Sequence, residues 1–296
     1  MYKKILVPLD GSKIARQVFP CVVEMSNAFG SEAILVGVCD SEESEEGKVC
    51  RIYIHNEAEQ LKNIMKTSAA GVKTVILGGK PAEEIIKYAE KNNVDIIIIS
   101  SHGRSGIKPW SVGSTARKVL HRVRVPLIIV RAKEKPEESD ETRLFSRILV
   151  PLDCSDRSAG IVPYVAALAK KLKVEIILFN VVELGKHVHT IGGLEYVRFN
   201  DQDIDKEKEE AQSYLGGIAS NISGTKSTVK CEIRVGDSAE EIIKLATEKD
   251  CSLIAMSSHG YSGIEGWAYG SVTCKILHAA NNSIMFVPSL DNQSFL

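Results

Sequence analysis

The chain has 296 residues, with 37 Lys plus Arg against 38 Asp plus Glu and a formal net charge of -1. That balance excludes the basic excess by which nucleic-acid binders hold phosphate backbones, and no apolar run reaches the roughly 18 residues that a bilayer-spanning helix needs. The 7 cysteines include no Cys-x-x-Cys pair, which argues against zinc-ribbon and thioredoxin-type chemistry and for a reducing, cytoplasmic setting.

In chain order, Ile5 to Leu9 is a short apolar run ending at Pro-x-Asp, the pattern of a buried strand and a turn. Ser12 stands at a helix N-cap, and helical pattern follows to about Gly30, with Pro20 inside it to kink or shorten the helix. Ala33 to Val38 is a second strand, the acidic run Ser41 to Glu46 a solvated loop, and Glu57 to Ala70 a second helix. Lys73 to Leu77, Pro81 to Lys91 and Asp95 to Ile99 continue as strand, helix and strand, with Pro81 suited to a first helical turn. A helix then opens near Ser114, and Leu127 to Val130 is the last strand.

The series then repeats. Ile5-Leu6-Val7-Pro8-Leu9-Asp10 recurs letter for letter as Ile148-Leu149-Val150-Pro151-Leu152-Asp153, and Ala82 to Ile86 recurs as Ala239 to Ile243. Ser100-Ser101-His102-Gly103 recurs as Ser257-Ser258-His259-Gly260, and Gly113-Ser114 as Gly270-Ser271. Such repetition sets the domain count at two. The first domain is 1–132, Lys133 to Arg143 is a charged linker without an apolar residue, and the second domain is 144–296. Copy two carries a 14-residue insertion after its second strand, in the polar stretch Glu183 to Asp205. Its elements follow copy one: Pro163 inside a helix ending near Leu172, strands Glu175 to Val182, Thr228 to Val235, Leu253 to Met256 and Ile284 to Val287, and a helix over Lys206 to Ala219.

Strands alternating with helices imply a doubly wound α/β domain with a parallel sheet, present twice. Ligands in such folds sit beyond the carboxyl ends of the strands, where strand order reverses. Two repeated motifs fall at strand ends: Asp10 (Asp153) after strand one, and Ser100 to Gly103 (Ser257 to Gly260) after strand four. The second motif reads Ser-Ser-His-Gly, nine residues, then Gly-Ser opening a helix, with the same loop length in both copies. Glycine lets backbone N–H groups approach an anion, and a helix N-terminus offers free N–H donors at the positive end of the dipole. The chemistry this fits is phosphate binding. Turn glycines and a capping serine are the plainer alternative, which repetition at fixed spacing weakens. Neither G-x-x-x-x-G-K-[ST] nor G-x-G-x-x-G occurs.

In these residues the chain resembles a tandem universal stress protein, over nearly its whole length outside the linker and insertion. The resemblance implies five-stranded sheets of order 3-2-1-4-5 that bind ATP or AMP, with Mg²⁺ as an optional companion of ATP. It implies that the first-strand Asp and the end of strand two hold adenine and ribose, and that the loop holds the phosphates. Carried over, copy one supplies Pro8, Asp10, Val38, Ile99, His102, Gly103, Gly113, Ser114 and Thr115. Copy two supplies Pro151, Asp153, Val181, Met256, His259, Gly260, Gly270, Ser271 and Val272. Ser100 and Ser257 replace the family's first motif glycine, so that a Cβ crowds the ligand or a hydroxyl adds a bond to it. The resemblance also implies pairing of the last strands, Leu127 to Val130 beside Ile284 to Val287, as a pseudo-dimer within the chain, with a homodimer of chains as a further assembly.

The function expected is adenine-nucleotide binding by a stress-response or regulatory protein without a nucleic-acid or membrane partner. Slow ATP hydrolysis and a nucleotide-free interaction scaffold stand as alternatives. No catalytic set of nucleophile, base and metal-holding oxygens is visible beside His102 and His259. His187 and His189 read as loop histidines in preference to a pair of metal ligands, the cysteines as packing residues except Cys154 beside the strand-one Asp, and Trp110 and Trp267 as local loop packing or an interface in preference to a cover over a bound ligand.

Overall fold

A computed structural model describes residues 1–65, 71–104, 106, 112–133, 144–183, 201–222, 227–257 and 270–288, and the backbone of 188–191 and 194–197. The expected linker beyond Lys133 and both tryptophans lie outside the described residues. The chain divides into two compact units, Met1–Leu144 with Leu277–Pro288, and Phe145–Ile276.

In the first unit the elements are β1 (Lys4–Pro8), α1 (Phe19–Phe29), β2 (Glu32–Cys39), α2 (Glu45–Ile64), β3 (Val72–Gly78), α3 (Pro81–Lys91), β4 (Ile96–Ser100), α4 (Ser114–Arg122) and β5 (Leu127–Val130). The strands run β3-β2-β1-β4-β5, all parallel. β1 and β4 are buried almost throughout because helices cover both faces of the sheet. Strand order reverses between β1 and β4, which opens a crevice at their carboxyl ends. A last strand, Ser283–Val287, pairs antiparallel with β5, Ile284 opposite Ile129 and Phe286 opposite Leu127. This is the pairing of last strands that the resemblance implied. Arg131 ties it down within the first unit: its backbone N–H donates to Ser283 Oγ at 3.0 Å and its guanidinium donates to the carbonyls of Leu277 and Ala280.

In the second unit the elements are β6 (Arg147–Pro151), α5 (Asp156–Ala159), α6 (Val162–Lys171), β7 (Glu175–Val182), the antiparallel hairpin β8 (Val188–Ile191) and β9 (Leu194–Val197), α7 (Asp201–Ile222), β10 (Thr228–Val235), α8 (Ser238–Glu248), β11 (Leu253–Ser257) and α9 (Ser271–Ala279). The terminal strand Ser283–Val287 is β12. The parallel strands run β10-β7-β6-β11, the order of the first unit. The hairpin falls in the inserted stretch read as a loop; it holds His189, while His187 is outside the described residues.

Three local differences from the sequence reading have simple causes. The helix expected from Ser12 is a 3-10 turn, Ala15–Val18, followed by α1 with Pro20 in its first turn. Proline lacks the N–H that a continuous helix needs there. Copy two breaks the same way, with Pro163 in the first turn of α6. α2 starts twelve residues before Glu57, inside the acidic run. Ser44 caps it by accepting from Gly47 N–H at 3.0 Å, and Glu45 and Glu46 complement the dipole.

The turn after the first strand needs a left-handed residue in both copies. Gly11 fills it at φ +88° and Cys154 at φ +64°. A side chain in that region costs roughly 1–2 kcal/mol, against which a glycine loses roughly 0.4–1 kcal/mol through the unfolded chain. Cys154→Gly is therefore expected to leave urea-unfolding stability unchanged or raise it by up to about 1 kcal/mol. A loss of similar size would show that the contact of Asn180 Nδ2 with the sulfur, 3.6 Å long, outweighs the relieved strain.

Candidate functional site

The crevice of the first unit is a cavity of about 250 Å³. All ten copy-one residues singled out in the sequence line it: Pro8 and Asp10 from the end of β1, Val38 from β2, Ile99, Ser100, His102 and Gly103 from β4 and the loop after it, and Gly113, Ser114 and Thr115 from the start of α4. Asp10 organises the entrance. Its Oδ1 accepts from Ser12 N–H at 3.0 Å, and its Oδ2 accepts from Arg104 N–H at 2.7 Å. One carboxylate thus fixes its own turn and clamps the loop that follows β4. Gly103 is obligatory for that clamp, because a Cβ on it would overlap the Asp10 carboxylate.

The two halves of the phosphate-type motif meet at Ser101. Its carbonyl accepts from Gly113 N–H at 2.7 Å, and its own N–H donates to Val130 at 2.8 Å. A Cβ on Gly113 would stand 3.1 Å from that carbonyl. Ser101 is fully buried, and its Oγ accepts from Ala132 N–H at 3.0 Å and lies 3.0 Å from His102 Nδ1. Where the hydroxyl donates to Nδ1, the imidazole proton sits on Nε2. Burial, then the Arg131 charge, holds His102 below the usual histidine pKa. Neutral His102 is thus an uncharged donor within the cleft wall.

Gly113 caps α4 without any side-chain hydrogen bond, and the first turn carries no acidic residue. The first N–H groups of α4 have no intrahelical partners, so the positive end of its dipole opens on the cavity. The N-terminus of α8 is the contrast: Asp237 accepts from Ala239 and Glu240 N–H, and Glu240 and Glu241 follow. Ser100 is 5% exposed, and its Oγ accepts weakly from His102 N–H at 3.4 Å. The hydroxyl that replaces the expected glycine is thereby engaged by its own loop.

Sequence reading missed Val36, Pro81, Ile85 and Arg104 in this wall. Val36 carried a signal, being two residues from Val38 and hence on the same face of β2. Arg104 is placed by its backbone bond to Asp10, and its guanidinium faces Gly11 and approaches Glu46 at 3.9 Å. No spacing rule encodes that meeting of three loops.

In the second unit Pro151, Asp153, Val181, Met256, Ser257, Gly270, Ser271 and Val272 line the matching cavity. His259 and Gly260 lie outside the described residues. Asp153 Oδ1 accepts from the backbone N–H of Ser155 at 3.1 Å and from its hydroxyl at 2.6 Å, so the turn repeats that of Asp10. Ser238 stands where copy one has Pro81, and its hydroxyl donates to Glu183 at 2.5 Å. Cys154 is exposed at the turn next to Asp153, and Asn180 Nδ2 lies 3.6 Å from its sulfur.

The profile of the Universal stress protein family matches residues 1–131 and again 144–288. Universal stress protein MJ0531 of Methanocaldococcus jannaschii is 28% identical over 145 residues, 46% of this chain and 85% of its own length. Universal stress protein MJ0577 of the same organism is 29% identical over 157 residues, 45% of this chain and 97% of its own length. A solved universal stress protein from Archaeoglobus fulgidus superposes with a TM-score of 0.67 at 20% identity, covering 97% of this chain and 99% of its own, which speaks for the fold alone.

Two outcomes follow from the site geometry. Gly103→Ala must displace Asp10, and urea unfolding is expected to register a loss of about 1–3 kcal/mol; an unchanged midpoint would mean the carboxylate is not held as described. Stability is also expected to fall as pH drops below about 6.5, where the unfolded chain takes up a proton that buried His102 resists. His121, whose pKa is likewise lowered by burial and by Arg117 and Arg122, contributes in the same direction. His102→Gln should flatten the acid limb; an identical pH profile would contradict the assignment.

Proposed function

The chain belongs to the universal stress protein family, matched once in each half, and on that premise we propose that each cleft binds an adenine nucleotide, ATP or AMP. The observation that carries the reading is the α4 N-terminus. It is left without a side-chain cap or an acid and opens into the cavity that Asp10, His102 and Gly103 also line. Phosphates fit there, on the free N–H groups of the first helical turn and the Ser114 and Thr115 hydroxyls. The base and ribose fit the other end, between apolar Val36, Val38, Pro81 and Ile85 and the spare lone pairs of Asp10. Neutral His102 adds an N–H without the cost of a buried charge. Mg²⁺ is the expected companion of ATP, and Asp10 is the carboxylate nearest the phosphate loop.

Held this way, the nucleotide bridges the loops after β1 and β4 and the start of α4. Its presence changes their order and hence what they offer a partner, the behaviour of a cytoplasmic regulatory or stress-response protein. A slow hydrolase and a nucleotide-free scaffold are the rival readings.

The test is to purify the protein natively, denature it, and identify released nucleotide by mass spectrometry, then titrate stripped protein by calorimetry. One adenine nucleotide per cleft is expected. Gly113→Val, which drives a side chain against the Ser101 carbonyl, should remove the first site and leave the second. Single-turnover phosphate release separates hydrolysis from binding. Neither release nor binding of any nucleotide, in protein that unfolds cooperatively, would sink the reading and leave the scaffold.

A further inference from the structure

Large apolar side chains on this protein are inside, with few exceptions. Among the described residues the exposed ones are Met1, Val49, Ile52 and Ile64, and all but the first lie on α2. Val49 is 66% and Ile52 63% exposed, three residues apart and so on one face. α2 already has a core stripe in Ile54, Ala58 and Leu61. Its second apolar face has no function in the unit's own packing. The fold does not require it either. α7 follows the second strand of copy two as α2 follows that of copy one, and it buries Ala211, Leu215 and Ile222. Its exposed positions include Lys206, Glu209, Glu210, Gln212 and Ser213, with no large apolar side chain exposed at a described position.

The exposed face of α2 borders an open sheet edge. β3 ends the sheet of the first unit, and none of its residues is buried. Among the described residues, no strand pairs with the backbone groups on its outer side. Between helix and edge runs a groove of about 440 Å³, lined by Arg51, Ile52, His55 and Asn56 from α2 and by Thr74 and Ile76 from β3. Thr74 and Ile76 are two apart and share a face, so the groove has the period of a strand.

Charge identifies the occupant. Lys48 pairs with Glu45 at 2.5 Å and Lys62 with Glu59 at 2.7 Å, so those ammonium groups are already compensated. Arg51 has no ion-pair partner among the described residues, and it stands on the groove wall beside His55. We propose that the α2–β3 edge of the first unit is a docking surface for an extended, acidic segment of a partner protein, added alongside β3. Main-chain hydrogen bonds to β3 give the segment its direction. Alternate apolar side chains fill the groove between Ile52 and Ile76, and a carboxylate meets Arg51 in the geometry that guanidinium favours. The surface is separate from the cleft, and the proposal does not depend on nucleotide binding.

The test uses the full chain and fluorescence anisotropy with two short labelled peptides, one alternating valine with glutamate and one alternating valine with lysine. The acidic peptide is expected to bind and the basic one not. Ile52→Ser, which copies the polar outer face of α7, and Arg51→Glu should each weaken the acidic peptide about tenfold or more, the size of an interface hot spot. Arg51→Glu should also shift preference toward the lysine peptide, an effect that loss of apolar contact alone cannot give. Both positions are solvent-facing, and unchanged circular-dichroism melting would confirm intact folding. Absence of acidic-peptide binding, equal binding of both peptides, or indifference to both substitutions would overturn the proposal. So would concentration-dependent self-association by light scattering that Ile52→Ser abolishes, which would give the face to a second copy.

Discussion

The crevice depends on one carboxylate joining two loops that are far apart in sequence. Asp10 closes its own turn through Ser12 and holds the loop after β4 through Arg104. Without that bridge, the reversal of strand order between β1 and β4 would still leave an opening, but one with independent walls. With it, Gly103 must be glycine, Arg104 is set against Gly11, and the Ser101–Gly113 contact brings the start of α4 to the same place. In copy one the motif is thus pinned at both ends of its nine-residue loop, at Arg104 by Asp10 and at Gly113 by Ser101.

The two copies spend this shared plan differently. Copy two keeps the carboxylate turn at Asp153 but places Cys154 in the left-handed position that Gly11 fills in copy one. Its apolar end exchanges Pro81 for Ser238, bonded to Glu183. Its second long helix turns charged residues outward where α2 shows Val49 and Ile52. Duplication lets one copy drift: the first strand recurs unchanged from Ile5 to Leu9 as Ile148 to Leu152, whereas β4 and β11 differ at three of five positions and β2 and β7 exchange Val36 for Phe179, so the core has been repacked as well as the surface and rim.

Much of this was legible in the sequence because buried parallel strands leave continuous apolar runs. Ile5 to Leu9 and Asp95 to Ile99 announced β1 and β4, and the crevice follows from their being neighbours. Of the ten copy-one residues that line the crevice, Ser100, His102, Gly103, Gly113 and Ser114 belong to a motif that repeats at fixed spacing, whereas Ile99 and Thr115 do not recur in copy two and were named only through the family resemblance. The early start of α2 was not legible, since Ser41 to Glu46 reads equally well as a solvated loop and as a cap followed by dipole-stabilising acids; packing of the rest of the helix decides between them. Arg104 and Pro81 were hidden for another reason. Their roles arise where separate loops meet in space, and no local pattern encodes that meeting.

Backbone hydrogen exchange, read by mass spectrometry with and without ATP, tests the cleft most directly. If the nucleotide sits as proposed, amides at Gly103, Arg104 and Ser114 to Ala116 gain protection, while the outer edge at β3 exchanges as before. Unchanged exchange at the start of α4 under saturating ATP, or protection confined to some other part of the chain, would contradict the assignment of the phosphates to that helix.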